Sequence, residues 1–168
     1  LPGIKIDEKN IVSSTGALSF DKVPKKLAVI GGGYIGLEMG SVWSRLGSDV
    51  TVIEYLDFIT PGMDREVSNE FQKILTKQGI KFQMGSKVNS VDSKGGSATI
   101  SYTDTKNSKE EKIVVDKVLV SVGRKPYTEG LNLSKVGVKL DNKGRIEVNN
   151  KLQTTVENIF AIGDVIKG

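Results

Sequence analysis

Gly31-Gly32-Gly33-Tyr34-Ile35-Gly36 puts glycines at the spacing G-x-G-x-x-G, directly after the apolar run KLAVI. That spacing suits a strand turning into a helix beside a pyrophosphate. Gly31 would make the tight turn, Gly33 would let the backbone approach the phosphates, and Gly36 would let helix and strand pack closely. Gly40, one turn on, extends the small face. The helix amino terminus would offer the anion free N–H groups and a positive dipole end. Glu54 supplies the further element this chemistry requires. It stands about 20 residues on, at the end of a second apolar run, DVTVI, where a carboxylate can accept hydrogen bonds from an adenosine ribose. A 2′-phosphate would be repelled there and would want an arginine instead. Tyr55, Leu56, Asp57 and Phe58, which follow Glu54, include no base. The site therefore reads as one for NAD rather than NADP.

Glu38 lies about 60° from the centre of the helical face formed by Ile35, Met39, Val42 and Leu46, at 100° per residue. Periodicity leaves two readings open. It is either an acid favourably placed in the first turn, or a carboxylate facing a cleft. Zero cysteines and zero histidines remove thiolate chemistry, disulfides, the usual zinc sites and histidine-based triads.

The elements needed to position these groups are legible. The lead-in, 1–25, is broken by Pro2, Gly3, Gly16 and Pro24, and its IVSSTGALSF has apolar residues without a period. A buried strand is expected at 26–31 and a helix from about 33 to 46, with Gly47 at its stop. DVTVIE, 49–54, gives a second strand. Asp64 can cap the next helix, whose inner face would be Val67, Phe71, Ile74 and Leu75, with Gly79 at its end. IKFQM, 80–84, is a third strand. A β-α-β-α-β order argues for a parallel sheet with right-handed crossovers. At about 87–115 the pattern becomes short period-two runs joined by SKGG and by a polar loop, which read as an antiparallel meander. VLVSVG, 118–123, is again continuous and apolar and returns to the parallel sheet. Short strands and loops follow. The fold class is α/β: a Rossmann-type parallel sheet with helices, interrupted by a small antiparallel β-meander.

At 168 residues the chain fits one domain or a little more, able to bury roughly 68–70% of its unfolded surface. The net charge is +4, from 24 basic and 20 acidic residues. No basic run is interleaved with aromatics, so the charge reads as a solvated surface rather than a nucleic-acid stripe. No stretch approaches the roughly 18 apolar residues of a membrane span, and no amino-terminal targeting segment is visible.

GGGYIGLEMGSVWSRLGSDVTVIE resembles the NAD-binding domain of the flavin-dependent pyridine nucleotide–disulfide oxidoreductases, and within them the dihydrolipoamide dehydrogenase branch. IVSSTGALSF, SVGRKPYTEGL and IFAIGDVIKG resemble that branch in the same order. The resemblance covers essentially the whole chain but only the middle portion of the family enzyme. The FAD domain with its redox cysteine pair and the interface domain with its His–Glu pair have no counterpart here. The resemblance implies that 1–25 is a remnant of the connection from the FAD domain, 26–145 the NAD domain, and 146–168 the return towards the FAD domain. It also implies roles. Gly31, Gly32, Gly33, Tyr34, Ile35 and Gly36 would hold the NAD pyrophosphate, with Tyr34 as a gate. Glu54 would hold the adenosine ribose, Val88 would touch the adenine side, and Gly123 would pass near the nicotinamide. Glu38 matches the family glutamate beside the nicotinamide, which turns the open choice towards a functional carboxylate. Asp164 matches an aspartate that binds the ribityl chain of FAD, though a turn-forming Asp after glycine fits the sequence equally well. The parent protein would be a homodimer within 2-oxo acid dehydrogenase complexes, in the mitochondrial matrix if eukaryotic and otherwise in the cytoplasm.

Three functions are compatible with these residues. The chain is part of a dihydrolipoamide dehydrogenase in which NAD⁺ takes a hydride from reduced FAD; or a stand-alone NAD(H)-binding module; or part of another flavoprotein of the family, such as an NADH oxidase or a mercuric reductase. By itself it is expected to bind dinucleotide and turn nothing over.

Overall fold

The computed structural model describes residues 3–167. Pro2 and Gly168, expected in the lead-in and the return segment, lie outside them. The chain divides into two compact units, Leu1–Val122 and Gly123–Gly168.

The first unit is built on five parallel strands: β1 (Ile11–Val12), β2 (Lys26–Ile30), β3 (Asp49–Ile53), β4 (Lys81–Gln83) and β8 (Lys117–Val120). Their order is β1-β8-β2-β3-β4. From β2 the chain winds outward through β3 and β4, then returns as β8 on the other side of β2. Two α-helices, α2 (Tyr34–Arg45) and α3 (Arg65–Lys77), follow β2 and β3. Among the described residues no helix is long and apolar enough to cross a membrane.

Period-two geometry gives the sheet two apolar faces. Leu27, Val29, Val50, Val52 and Leu119 point into a core shared with Leu37 and Trp43 of α2 and Leu75 of α3. Ala28, Ile30, Ile53 and Val118 point into a second core. Each buried Val, Leu or Ile contributes about 1.5–3 kcal/mol to holding these layers. The second face is covered by an antiparallel sheet, β5 (Ser86–Lys94), β6 (Ser97–Asp104) and β7 (Glu110–Val115). Val91, Ala98, Ile100, Tyr102 and Val115 supply its inward side chains. This is the expected meander, within a residue of its expected limits. Its first hairpin turns on Gly95 (φ 62°) and Gly96 (φ 85°), between the paired residues Lys94 and Ser97. Two consecutive positive φ values make a tight two-residue loop whose twist suits the flanking strands.

Three local expectations differ from the structure. First, the lead-in contributes a strand and a short helix. Ile11 and Val12 extend the sheet edge beside Val118 and Leu119. α1 (Ser14–Ala17) follows, and the Ala17 carbonyl accepts from the Trp43 indole N–H at 3.1 Å. Two strand residues are too few to register as a period. Second, the buried face of α2 is Gly36, Leu37, Gly40 and Trp43, turned about 115° from the face set by hydropathy. Val42 and Leu46 are exposed. Gly36 and Gly40 approach the sheet closely because they lack a Cβ, and a hydropathy count gives glycine no weight. Third, Val67 and Ile74 of α3 are exposed, while Ser68 is buried. A hydrogen bond between the Ser68 and Thr60 hydroxyls, 2.8 Å, turns that helix inward on a polar residue. Asp64 does cap α3, accepting from the Glu66 and Val67 N–H groups.

Among the described residues, the second unit has no strand longer than an isolated bridge. Leu140 pairs with Ile146 and Gln153 with Phe160, and two 3₁₀ turns span Leu133–Val136 and Gly163–Val165. Val138, Ile146 and Ala161 form its small buried core.

Candidate functional site

β8, β2 and β3 are neighbours, so their carboxyl ends lie side by side. They deliver Ser121, Gly31 and Glu54 to one place. In open α/β sheets ligands bind outside these ends, where the winding reverses. Here that reversal falls at β2.

The glycine turn is built into this edge. The Gly31 N–H donates to the Ile53 carbonyl at 2.9 Å. Gly31 has φ 106°, and a Cβ on it would sit 2.6 Å from the Ser121 carbonyl oxygen. Only glycine adopts that conformation and tolerates that approach. Gly32 is fixed from both sides. Its N–H donates to Glu54 Oε2 at 2.6 Å, and its carbonyl accepts from the Thr60 N–H at 2.8 Å. A Cβ on Gly36 would collide with the Gly31 carbonyl oxygen and come within 2.5 Å of Ser121 Oγ and 2.9 Å of Val29 Cγ1. Gly31 and Gly36 are therefore required by the protein's own packing, whereas a Cβ on Gly32 would press on the Ile59 and Glu54 side chains at 3.2–3.3 Å.

Gly33 is different. It caps α2 with φ −76° and ψ 173°, a conformation open to any residue. A Cβ there would meet nothing within 4 Å. Its side of the turn is free, and α2 begins beside it without a side-chain cap or an acid in its first turn.

Glu54 is buried, and both of its oxygens are used. Oε1 accepts from the Leu56 N–H at 2.8 Å, while Oε2 holds Gly32. The carboxylate thus ties the end of β3 to the glycine turn, and lone pairs remain for further donors. Its carbonyl accepts from the Ser86 N–H at 2.8 Å, which starts β5 at the same place. Val88, half-buried against the second core, is two residues further along that strand.

The structure brings Gly31 to Gly36 and Glu54 together, with Val88 on the strand that leaves Glu54. Tyr34 is exposed and Ile35 half-buried at the start of α2. Glu38 is exposed, about 170° from the centre of the observed buried face. It is the fifth residue of α2, which excludes both the core edge and the first turn as its place. Gly123 and Asp164 belong to the second unit. Asp164 is exposed and bonded to Arg124 Nε at 2.9 Å.

Sequence reasoning missed two contributors to the glycine turn: Ser121 and Thr60. Ser121 donates to the Ile30 carbonyl at 3.1 Å; a serine ending an apolar strand run was the available signal. Thr60 (φ 50°) left no signal, because its role depends on a bond to Gly32 across the loop. Its hydroxyl donates to Ser68 Oγ, since the Ser68 hydrogen goes to the Asp64 carbonyl at 3.0 Å.

The chain matches the pyridine nucleotide-disulphide oxidoreductase family over residues 1–168 and belongs to that family. It is 56% identical over 168 residues to a mitochondrial dihydrolipoyl dehydrogenase of Caenorhabditis elegans, covering 99% of this chain and 34% of that protein. Identity to the mitochondrial dihydrolipoyl dehydrogenase of Mus musculus is 52% over 169 residues, covering 99% and 33%. Among solved structures, a Cu(II) complex of the HOCl-induced flavoprotein disulfide reductase RclA from Escherichia coli superposes with a TM-score of 0.85 at 30% identity, over 100% of this chain and 38% of that one. The chain spans about a third of the length of the curated relatives it matches.

Proposed function

We propose that this chain is the NAD(H)-binding part of a flavin-dependent dihydrolipoamide dehydrogenase. The observation that carries the proposal is Gly33. It is a glycine at the mouth of the strand-end crevice for which neither backbone conformation nor packing supplies an internal reason. A ligand that needs the backbone bare supplies one.

On this reading the pyrophosphate lies over Gly31–Gly36, and the free N–H groups of α2 face it. Glu54 accepts from the adenosine ribose while it holds Gly32 in place. Val88 borders the adenine, and Tyr34 stands at the mouth. Glu38 and Gly123 serve the nicotinamide half, and Asp164 serves the ribityl chain of FAD. The dinucleotide supplies the hydride-accepting ring. The chain's own residues bind it, orient it and set its selectivity. NAD⁺ would take the hydride from reduced FAD as dihydrolipoamide is oxidised, within a homodimeric parent that serves 2-oxo acid dehydrogenase complexes. The mitochondrial names of the relatives favour the mitochondrial matrix. Identity of 52–56% to dihydrolipoyl dehydrogenases, against 30% to RclA, favours this branch over a reductase of the RclA kind.

With no Cys and no His, this chain alone should be colourless and show no dihydrolipoamide-dependent turnover. Calorimetric titration with NADH tests the site. The unmutated chain should bind, and Gly33→Val should abolish binding while costing about 1 kcal/mol of stability or less, the loss of a moderate N-cap. Normal NADH binding by a folded Gly33→Val would move the phosphate site elsewhere.

A further inference from the structure

The loop from Glu54 to Thr60 is anchored to the glycine turn at both ends. Leu56 bonds the Glu54 carboxylate. Ile59 Cγ2 would lie 3.2 Å from a Cβ on Gly32, and the Thr60 N–H reaches the Gly32 carbonyl. Asp57 and Phe58 fall between these anchors. Consecutive Cα atoms are about 3.8 Å apart, so both residues lie on the rim of the proposed ribose position.

Along the sequence, the residues after Glu54 include no base. In space, one returns. Arg65, the first residue of α3, stacks its guanidinium over the Phe58 ring, 3.9 Å from the centroid. Its Nη2 lies 3.1 Å from Asp57 Oδ2. Both partners of this pair are at least half exposed, so the ion pair is weak and easily reorganised. The stacking on Phe58 does not depend on Asp57, so it keeps the guanidinium at the rim when the carboxylate is removed.

We infer that Asp57 is a specificity-determining residue: by occupying Arg65 it denies a 2′-phosphate a guanidinium positioned to receive it. Glu54 repels that phosphate directly, whereas Asp57 cancels the charge that would attract it. A free planar guanidinium at this rim is the natural bidentate partner of a phosphate. The inference rests on the dinucleotide site proposed above and adds a second discriminator to it.

The test uses the chain as it stands, with NADH and NADPH titrated calorimetrically at low and high salt. Asp57→Asn should lower the NADPH-to-NADH ratio of dissociation constants about two- to fivefold, the range of an exposed ion pair. The change should shrink at high salt and vanish in the double variant Asp57→Asn, Arg65→Gln. An unchanged ratio in Asp57→Asn overturns the inference. So does an equal fall in the double variant, which would assign the effect to the lost negative charge and not to Arg65. In both of those outcomes NADH still binds and the dinucleotide site stands; if the unmutated chain binds neither dinucleotide, the site and the inference fall together.

Discussion

The glycine turn has two sides, held for different reasons. On the inner side, Gly31 and Gly36 sit against Ser121 and Val29, where an added Cβ meets backbone or branched carbon closer than 3 Å. On the outer side, Gly33 has an ordinary conformation and empty space around it. The same residue type at the same motif thus stands in two settings. The fold needs the inner glycines whatever the chain binds, while on the proposed reading the outer one answers to a ligand. A motif match cannot tell these apart, since both appear as G.

Gly36→Val breaks the inner side and carries the largest expected loss of stability. The side chain cannot be accommodated without moving the Gly31 carbonyl or β2, at a cost of about 3 kcal/mol, the upper part of the range for overpacking. Denaturant unfolding checks it. A value within 0.5 kcal/mol of the unmutated chain, which is roughly the scatter of neutral surface changes, would show that the inner side is looser than its distances imply, and the contrast with Gly33 would collapse.

Glu54 belongs to both sides and should show both effects. Glu54→Ala strips the acceptor from the buried Gly32 N–H, which costs about 1–3 kcal/mol. On the proposed reading it also removes the ribose contact and should weaken NADH roughly ten- to over a hundredfold. Unfolding and calorimetry on the same variant separate the two. If stability is unchanged while affinity falls, the carboxylate serves the ligand alone, and Gly32 joins Gly33 on the outer side.

The antiparallel sheet offers the mildest test, because its buried polar group, Tyr102, pairs with Val88 across the ladder and the change removes a single hydroxyl. The Tyr102 hydroxyl donates to Glu111 Oε2 at 3.0 Å. Burial first, then the hydrogen bond and the negative charge of Glu111, push the phenol up to about 12 from 10.0. The fold therefore favours the neutral phenol. Its contribution is fully present below pH 10 and is lost as pH rises through about 12. Tyr102→Phe should remove that part of the alkaline destabilisation and leave NADH affinity at neutral pH unchanged. Tyrosinate absorbance should show that the ionisation lost in this variant lies near pH 12. A shift in NADH affinity would show that the two sheets are coupled through the site.

Much of the architecture was legible in the chain's pattern. β2 and β3 read as continuous apolar runs because both faces of the sheet are covered, by helices on one side and the meander on the other. The meander read as such from its alternation and from the turn SKGG. The faces of α2 and α3 were not legible. Hydropathy marks apolar side chains, but α2 meets the sheet through glycines and α3 turns inward on Ser68. Ile11 and Val12 carried too few residues to show a strand.

Sequence alone determined the site's vocabulary: glycines at a phosphate-binding spacing, an acid at the end of the second strand, and no thiol or imidazole for the rest of the chemistry. These follow from residue type and spacing, which the chain states directly. Tertiary structure decided which glycines are free. It also decided that Glu54 bonds Gly32, that Glu38 faces away from the core of its domain, and that Arg65 stands beside Asp57 and Phe58. Those relations join residues 7 to 22 positions apart, or depend on how far a helix rotates on its sheet. Both are set by packing across the fold, where a missing Cβ or one buried hydroxyl outweighs the period of the apolar residues.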